Sequence, residues 1–347
     1  MDRYLPTGNE MVSLPKINEL TAGIEDFTFL SMQHKGMIEV RGSSNTPLIQ
    51  PFIRIGETEL PLTALQWSRD SYWIPALQAK ASSSRFGMTI LTPIGERGFA
   101  VKLSLTAGED ISLTWGLKGC WDGSFHCVNE DKKLDGIPRC YRSGWNHSLI
   151  FDFRCGTPLF AFAPMCSQET DTDFREENGA IFYTLSHREE IPAGEVRELI
   201  FYWGLGFEEV AAATSAKEML RRGWDWEYCR TVSWLEKRTR QMPTAKLTDI
   251  YNTNLLFCIF YSTGITLDTE ELVCATSRGT RYYVSAAYWD RDVLLWSFPA
   301  ILDAAPDLAE QILHYVYGRQ RRNLGIHSRY IDGTVLEPGF ELDELMA

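Results

Sequence analysis

Phe99-Ala100-Val101-Lys102-Leu103-Ser104-Leu105 places a large apolar side chain at every second position. A side-chain period of two is that of a β-strand with one buried face. Working outward, Ile111-Ser112-Leu113-Thr114-Trp115 repeats the pattern, and Phe52-Ile53-Arg54-Ile55 does so more loosely. Ile150-Phe151-Asp152-Phe153 and Arg197-Glu198-Leu199-Ile200-Phe201-Tyr202-Trp203 continue it. Turn-forming groups separate these runs: Gly108-Glu109-Asp110, Trp121-Asp122-Gly123 and Pro192-Ala193-Gly194. Short strands with recurrent turns and almost no helical period, from about residue 27 to 206, predict an antiparallel β-sandwich. Its domain is taken as residues 1–208.

Beyond that boundary the period becomes helical. Ser215 and Glu218 stand at capping-box spacing. The helical stretch they open is broken near Gly223 and stopped by Pro243, so residues 209–243 read as a helical linker. A strong helix is predicted over 247–261, with Ile250, Asn254, Phe257 and Cys258 at helical spacing. Another follows over 292–302. Pro306 opens a third over 307–317, with Leu308, Ile312 and Val316 on one face, and a fourth begins near Glu341. Segments 270–289 and 323–340 read as long loops, which in compact domains usually carry function.

The chain has 347 residues and a formal net charge of -12, which argues against nucleic-acid and anionic-membrane partners. No run approaches the ~20 apolar residues of a membrane span. Met1-Asp2-Arg3-Tyr4-Leu5-Pro6 lacks the apolar core of a signal peptide, which predicts a cytoplasmic protein. None of the 8 cysteines forms a C-x-x-C pair and no His/Cys group has zinc spacing. Free thiols, no metal and no organic cofactor are therefore expected.

Tyr288-Trp289-Asp290-Arg291-Asp292 precedes the apolar run 293–302. Charges at the mouth of an apolar helix are costly to bury without polar partners. A carboxylate–guanidinium–carboxylate group beside aromatics suits a sugar-binding subsite. Arg291 bridges two hydroxyls, Asp292 accepts from others, and Trp289 stacks on the ring's C–H face. The competing reading is an ion-paired helix N-terminus, with Asp290 facing outward and Trp289 a core residue. At the other end of the region stand Glu341, Asp343 and Glu344. On a helix Glu341 and Asp343 point about 200° apart, whereas Glu341 and Glu344 share a face. These three read either as site acids or as solvated charges at a helix start. Tyr330, Asp332 and Glu337 in the preceding loop are further substrate-binding candidates, and His327 lies beside them.

A sandwich, a linker helix and then helices joined by long loops resemble the six-hairpin glycosidases. That superfamily includes bacterial glucoamylases, glycogen-debranching glucosidases, trehalases and phosphorylases. Ile191-Pro192-Ala193-Gly194-Glu195 through Phe201-Tyr202-Trp203-Gly204 resembles the close of their N-terminal supersandwich. Trp289-Asp290-Arg291-Asp292 resembles the W-x-R-D element that holds the terminal sugar. Phe340-Glu341-Leu342-Asp343-Glu344-Leu345 resembles an L-D-E helix start in the second hairpin of the toroid. The resemblance implies that residues 244–347 form the first hairpins of an (α/α)6 toroid. It further implies a glycoside hydrolase acting on α-linked oligosaccharides by inverting acid/base hydrolysis, with Asp343 as general acid. Glu341 and Glu344 are the alternatives for that role. The family's base lies in later hairpins, so the chain is expected to be the N-terminal portion of such an enzyme and inactive alone. A disaccharide phosphorylase of the same architecture, a non-catalytic carbohydrate-binding module, and self-association through an open helical edge are the rival expectations.

Overall fold

The computed structural model describes residues 3–144 and 147–347. Met1 and Asp2, the head of the stretch read for a leader, lie outside them. Strand Gly98–Thr106 lies in an 8-stranded antiparallel sheet between Ser84–Leu91 and Val196–Gly206, with Ala100 opposite both Leu91 and Tyr202. Its alternation sends Phe99, Val101, Leu103 and Leu105 into the sandwich core. Lys102 emerges on the other face, its ammonium 5.0 Å from the ring centre of Trp224.

The opposing layer is made of two sheets. A 5-stranded sheet carries Ile111–Trp121 and Ala180–Ile191, and a 6-stranded sheet runs from Tyr4–Gly8 to Glu130–Lys133. The β-region therefore begins well before residue 27. Aromatic side chains close the seam between layers: Trp121 meets Phe162 at 5.1 Å, Phe27 meets Phe162 at 5.3 Å, and Phe29 meets Phe160 at 5.1 Å.

Gly108-Glu109-Asp110 and Pro192-Ala193-Gly194 prove to be corners between sheets. Strands Gly98–Thr106 and Val196–Gly206 pair in one sheet, and their continuations Ile111–Trp121 and Ala180–Ile191 pair in another. The two corners are tied together, Gly194 N–H donating to Ala107 O at 2.8 Å and Ala193 N–H to the Asp110 carboxylate at 2.8 Å.

Helix α1 (Glu209–Arg222) begins earlier than the capping-box signal placed it. Glu-Val-Ala-Ala-Ala is itself helix-forming, and Ser215 sits inside the helix, its hydroxyl donating to Ala211 O at 2.9 Å. Ala212, Ala213 and Ala216 are buried against the end of strand Val196–Gly206. There Gly204 leaves no room: a Cβ would lie 2.1 Å from Ala212 O and 2.4 Å from Ala216 N. Gly204→Ala must push α1 off the sheet, and a loss of about 1–3 kcal/mol is expected in urea unfolding. Gly318→Ala, where nothing lies within 4 Å, is the control and should be neutral or stabilising. Equal effects of the two would disprove the close-packing account.

Gly223, at φ 83°, breaks the helix, and α2 (Trp224–Glu236) follows. Thr244 caps α3 (Ala245–Ser262) by accepting from Leu247 N–H. Trp73 of the sandwich stacks on Phe260 of α3 at 5.3 Å, and the buried Arg278 donates to Asn9 O, Phe260 O and Thr263 O. The helical region is thus seated on the outer face of the sandwich over a second apolar core. It continues through a π-helical turn Arg291–Ser297, α4 (Phe298–Ala304), α5 (Pro306–Arg319) and α6 (Leu342–Met346).

The expected loop 323–340 is largely a β-hairpin, Ile326–Arg329 pairing with Val335–Phe340. Its turn is made by Asp332, which accepts from Thr334 N–H at 2.9 Å, and by Gly333 at φ 84°. All eight cysteines are free. Among the described residues no helix is long and apolar enough to cross a membrane.

Candidate functional site

A cleft of about 520 Å³ lies where the sandwich meets the helical region, lined by Trp289, Arg291, Asp292, Trp296, His327 and Glu337 on one side. The opposite wall comes from Tyr282 and Tyr283 and from Asn129 and Glu130 of a sandwich hairpin. The volume lies in the range of small-molecule sites. A larger groove of about 850 Å³ between α5 and the 326–340 hairpin carries Asp332 and the exposed His314 but exposes no Trp, Tyr or Phe ring, its Tyr315 being buried.

The segment 287–297 shapes the cleft. Tyr288 is fixed by backbone bonds to Arg329 in both directions, at 2.8 and 3.1 Å. The chain then enters the π-helical turn, where Phe298 N–H bonds Val293 O, five residues back. Such wide turns occur frequently at functional sites. Here the turn buries Val293 and leaves Asp292 and Trp296 facing the cleft. Trp289 is held edge-on by His327 at 5.8 Å. The Asp292 carboxylate accepts from the Thr276 hydroxyl at 2.7 Å. Burial raises its pKa, with Thr276 and Arg291 pulling the other way.

Arg291 gathers all three acids of the C-terminal segment. Its Nη1 lies 2.6 Å from Glu341, 2.7 Å from Asp343 and 3.4 Å from Glu344. The helical-wheel separation of Glu341 and Asp343 does not apply, because Glu341 is extended at φ -127°, ψ 129° and precedes α6. Glu341 also accepts from or pairs with His327 Nδ1 at 2.6 Å, and His327 and Arg291 together hold its pKa down. Arg291 likewise holds Asp343 below the usual carboxylate range. A general acid needs the opposite shift; in this structure Asp343 is an exposed ion-pair partner of Arg291. Glu344 is buried, accepts from Asp290 N–H at 2.7 Å, and is pushed up to about 7 by that burial.

Asp290 is corrected from a sugar contact to an internal anchor. It is 1% exposed and accepts from the Tyr288 hydroxyl at 2.7 Å and from Arg329. Its own charge is met by Arg329, fully buried beneath the site, which also faces Glu344 at 3.5 Å. Tyr330 and Asp332 are not in the cleft. Tyr330 packs behind it with Lys35 over its ring at 5.6 Å, and Asp332 is the hairpin turn residue, paired with Lys35 at 3.1 Å. Glu337 does line the cleft, accepting from Ser328 at 3.1 Å.

Trp296 was within reach of the sequence, four residues after Asp292 on the same helical run. Tyr282 and Tyr283 lie in a segment already marked as a functional loop. Asn129 and Glu130 carried no signal, since a tight turn in the β-half says nothing of what it faces.

The fold and site define a class of architecture: an antiparallel sandwich followed by helices, with an aromatic, acid-bearing cleft where they meet. Solved structures sharing the fold include a bacterial glucoamylase complexed with acarbose, at TM-score 0.55 and 12% identity, covering 99% of this chain and 55% of that one. A protein provisionally named kojibiose phosphorylase, from the human microbiome, superposes at TM-score 0.57 and 11% identity, covering 86% of this chain and 43% of that one. The chain thus spans about half the length of each. No protein-family model and no curated protein matches the sequence.

Proposed function

We propose that the cleft binds α-linked oligosaccharides and that the protein is a carbohydrate-active one of the glycoside-hydrolase kind, working by inverting acid/base hydrolysis. The observation that carries this reading is the pairing of Arg291, Asp292 and the exposed Trp296 on one wall with Tyr282 and Tyr283 on the other, Trp289 being buried at the cleft's edge with 4% of its surface exposed. Sugar rings need hydroxyl-forking charges and flat apolar faces together. The likeness in fold to a glucoamylase that binds acarbose adds support. The likeness to a kojibiose phosphorylase favours, as a second reading, phosphate in place of water. Binding without turnover is favoured by the engagement of Glu341, Asp343 and Glu344 with Arg291.

Calorimetric titration with maltose, maltotetraose and acarbose tests the binding. Release of reducing sugar with and without inorganic phosphate tests the reaction. Saturable binding supports the sugar cleft, and phosphate-dependent release would assign a phosphorylase. Absence of binding to every sugar would overturn the proposal. Self-association belongs to the same proposal, resting on the exposed Leu247, Ile250, Trp296 and Leu302 of the helical region. A sedimentation coefficient independent of concentration would refute that part.

A further inference from the structure

The tyrosine wall of the cleft is held from behind by buried charges. Three non-glycine residues in the wall take left-handed backbone: Asn129 at φ 60°, Arg281 at φ 54° and Ser285 at φ 39°. Side-chain-bearing residues adopt this region at a cost, so the surroundings must impose it. The backbone does part of the work. Val128 bridges Ser285, Asn129 N–H donates to Val284 O at 3.3 Å, and Ala286 N–H donates to Cys127 O at 3.4 Å. The sandwich hairpin and the tyrosine loop are therefore one wall.

The rest comes from Asp26 and Glu39, diagonal neighbours across two paired strands and both 0% exposed. Arg281, next to Tyr282, bonds Asp26 and reaches Glu39 at 3.4 Å, and Thr280 donates to Asp26 at 3.0 Å. Glu39 also accepts from Cys127 Sγ at 3.5 Å and from Arg41, which extends to Asp131 at 3.1 Å. Cys127 and Asp131 flank Asn129 and Glu130, so the cluster grips both segments of the wall. Two carboxyl groups buried side by side are unfavourable, and burial with the charge of Glu39 pushes Asp26 up to about 7. An apolar pair there would often be at least as stable, so stability alone does not account for the cluster. Its reach to the wall does. The wall presents Tyr283 and Tyr282, 75% and 44% exposed, as two ring planes 63° apart.

We propose that Asp26, Glu39 and Arg281 are positioning residues that hold Tyr282 and Tyr283 where they stack on a further ring of an extended oligosaccharide. This rests on the sugar-cleft reading. The ring at Trp296, Arg291 and Asp292 is held independently of the cluster.

The test compares Arg281→Gln, Arg281→Lys and Glu39→Gln with the unaltered chain. Calorimetry with maltose and maltotetraose is paired with hydrogen exchange over residues 280–286. For Arg281→Gln, maltotetraose affinity is expected to fall about fivefold, the size of one lost aromatic stack. Maltose affinity should stay within about twofold, exchange over 280–286 should quicken, and lysine at 281 should restore most of each. Equal weakening of both sugars, or no weakening of either, while Asp292→Ala still weakens binding of both, overturns positioning and spares the sugar cleft. If the unaltered chain binds neither sugar, the cleft reading and this ligand role both fall. Should Arg281→Gln fail to fold, the near-isosteric Glu39→Gln carries the same comparison.

Discussion

Arg329→Ala is expected to destabilise the protein by about 3–5 kcal/mol, the cost of leaving buried charges without their partner. Arg329 is 0% exposed. Its guanidinium meets Asp290 and Glu344, donates to Gln320 O at 3.1 Å, and lies 4.9 Å from the ring centre of Tyr288. Alanine would strand two carboxyl groups that are each 1% exposed. The effect should depend on pH, and its sign follows from Glu344. That group titrates at about 7 in the folded protein against an ordinary 4.5, so the folded state binds its proton more tightly than the unfolded state. Its contribution is fully present below pH 4.5 and is lost as pH rises through 7. Without Arg329, whose charge pulls the other way, Glu344 would favour the proton still more. The variant's deficit should therefore be larger at pH 8 than at pH 5.5. Urea unfolding at the two pH values measures this, and a loss below about 1 kcal/mol at pH 8 would remove Arg329 from the role assigned to it.

Asp292→Ala is expected to weaken oligosaccharide binding by about 10- to 100-fold, the worth of a hydrogen bond to a charged group in a partly buried site. The fold should be little affected, since Asp292 has one side-chain hydrogen bond, from Thr276. Asp292→Asn keeps an acceptor for Thr276 but removes the charge, and should fall between the two. Because burial raises the pKa of Asp292, binding that needs the carboxylate should strengthen with rising pH and lose that slope in the asparagine variant. Calorimetry across pH on all three proteins is the measurement. Unchanged affinity in both variants would take Asp292 out of the site.

Local pattern made much of this protein legible before any tertiary contact was known. The alternation in Phe99 to Leu105 named a strand and its buried face. Gly223 between α1 and α2 and Pro306 at the start of α5 are short-range signals that the structure uses directly. The run Trp289 to Asp292 marked the cleft because its chemistry is concentrated in neighbouring residues. Such signals act over a few peptide units, where hydrogen-bond geometry and side-chain period are set by the segment itself.

Only the tertiary structure decided which charges line the cleft and which face each other. Asp290 and Asp292 look alike in the chain, yet one is sealed beneath the site by Arg329 and the other lines the cleft. Glu341, Asp343 and Glu344 converge on Arg291 because Glu341 lies outside the helix, which no wheel projection reveals. Asn129 and Glu130 reach the cleft from the sandwich, and Arg281 is anchored on Asp26 and Glu39. These pairings join residues far apart in the chain. Their energies depend on burial and on the closest opposite charge, and both are properties of the packed molecule.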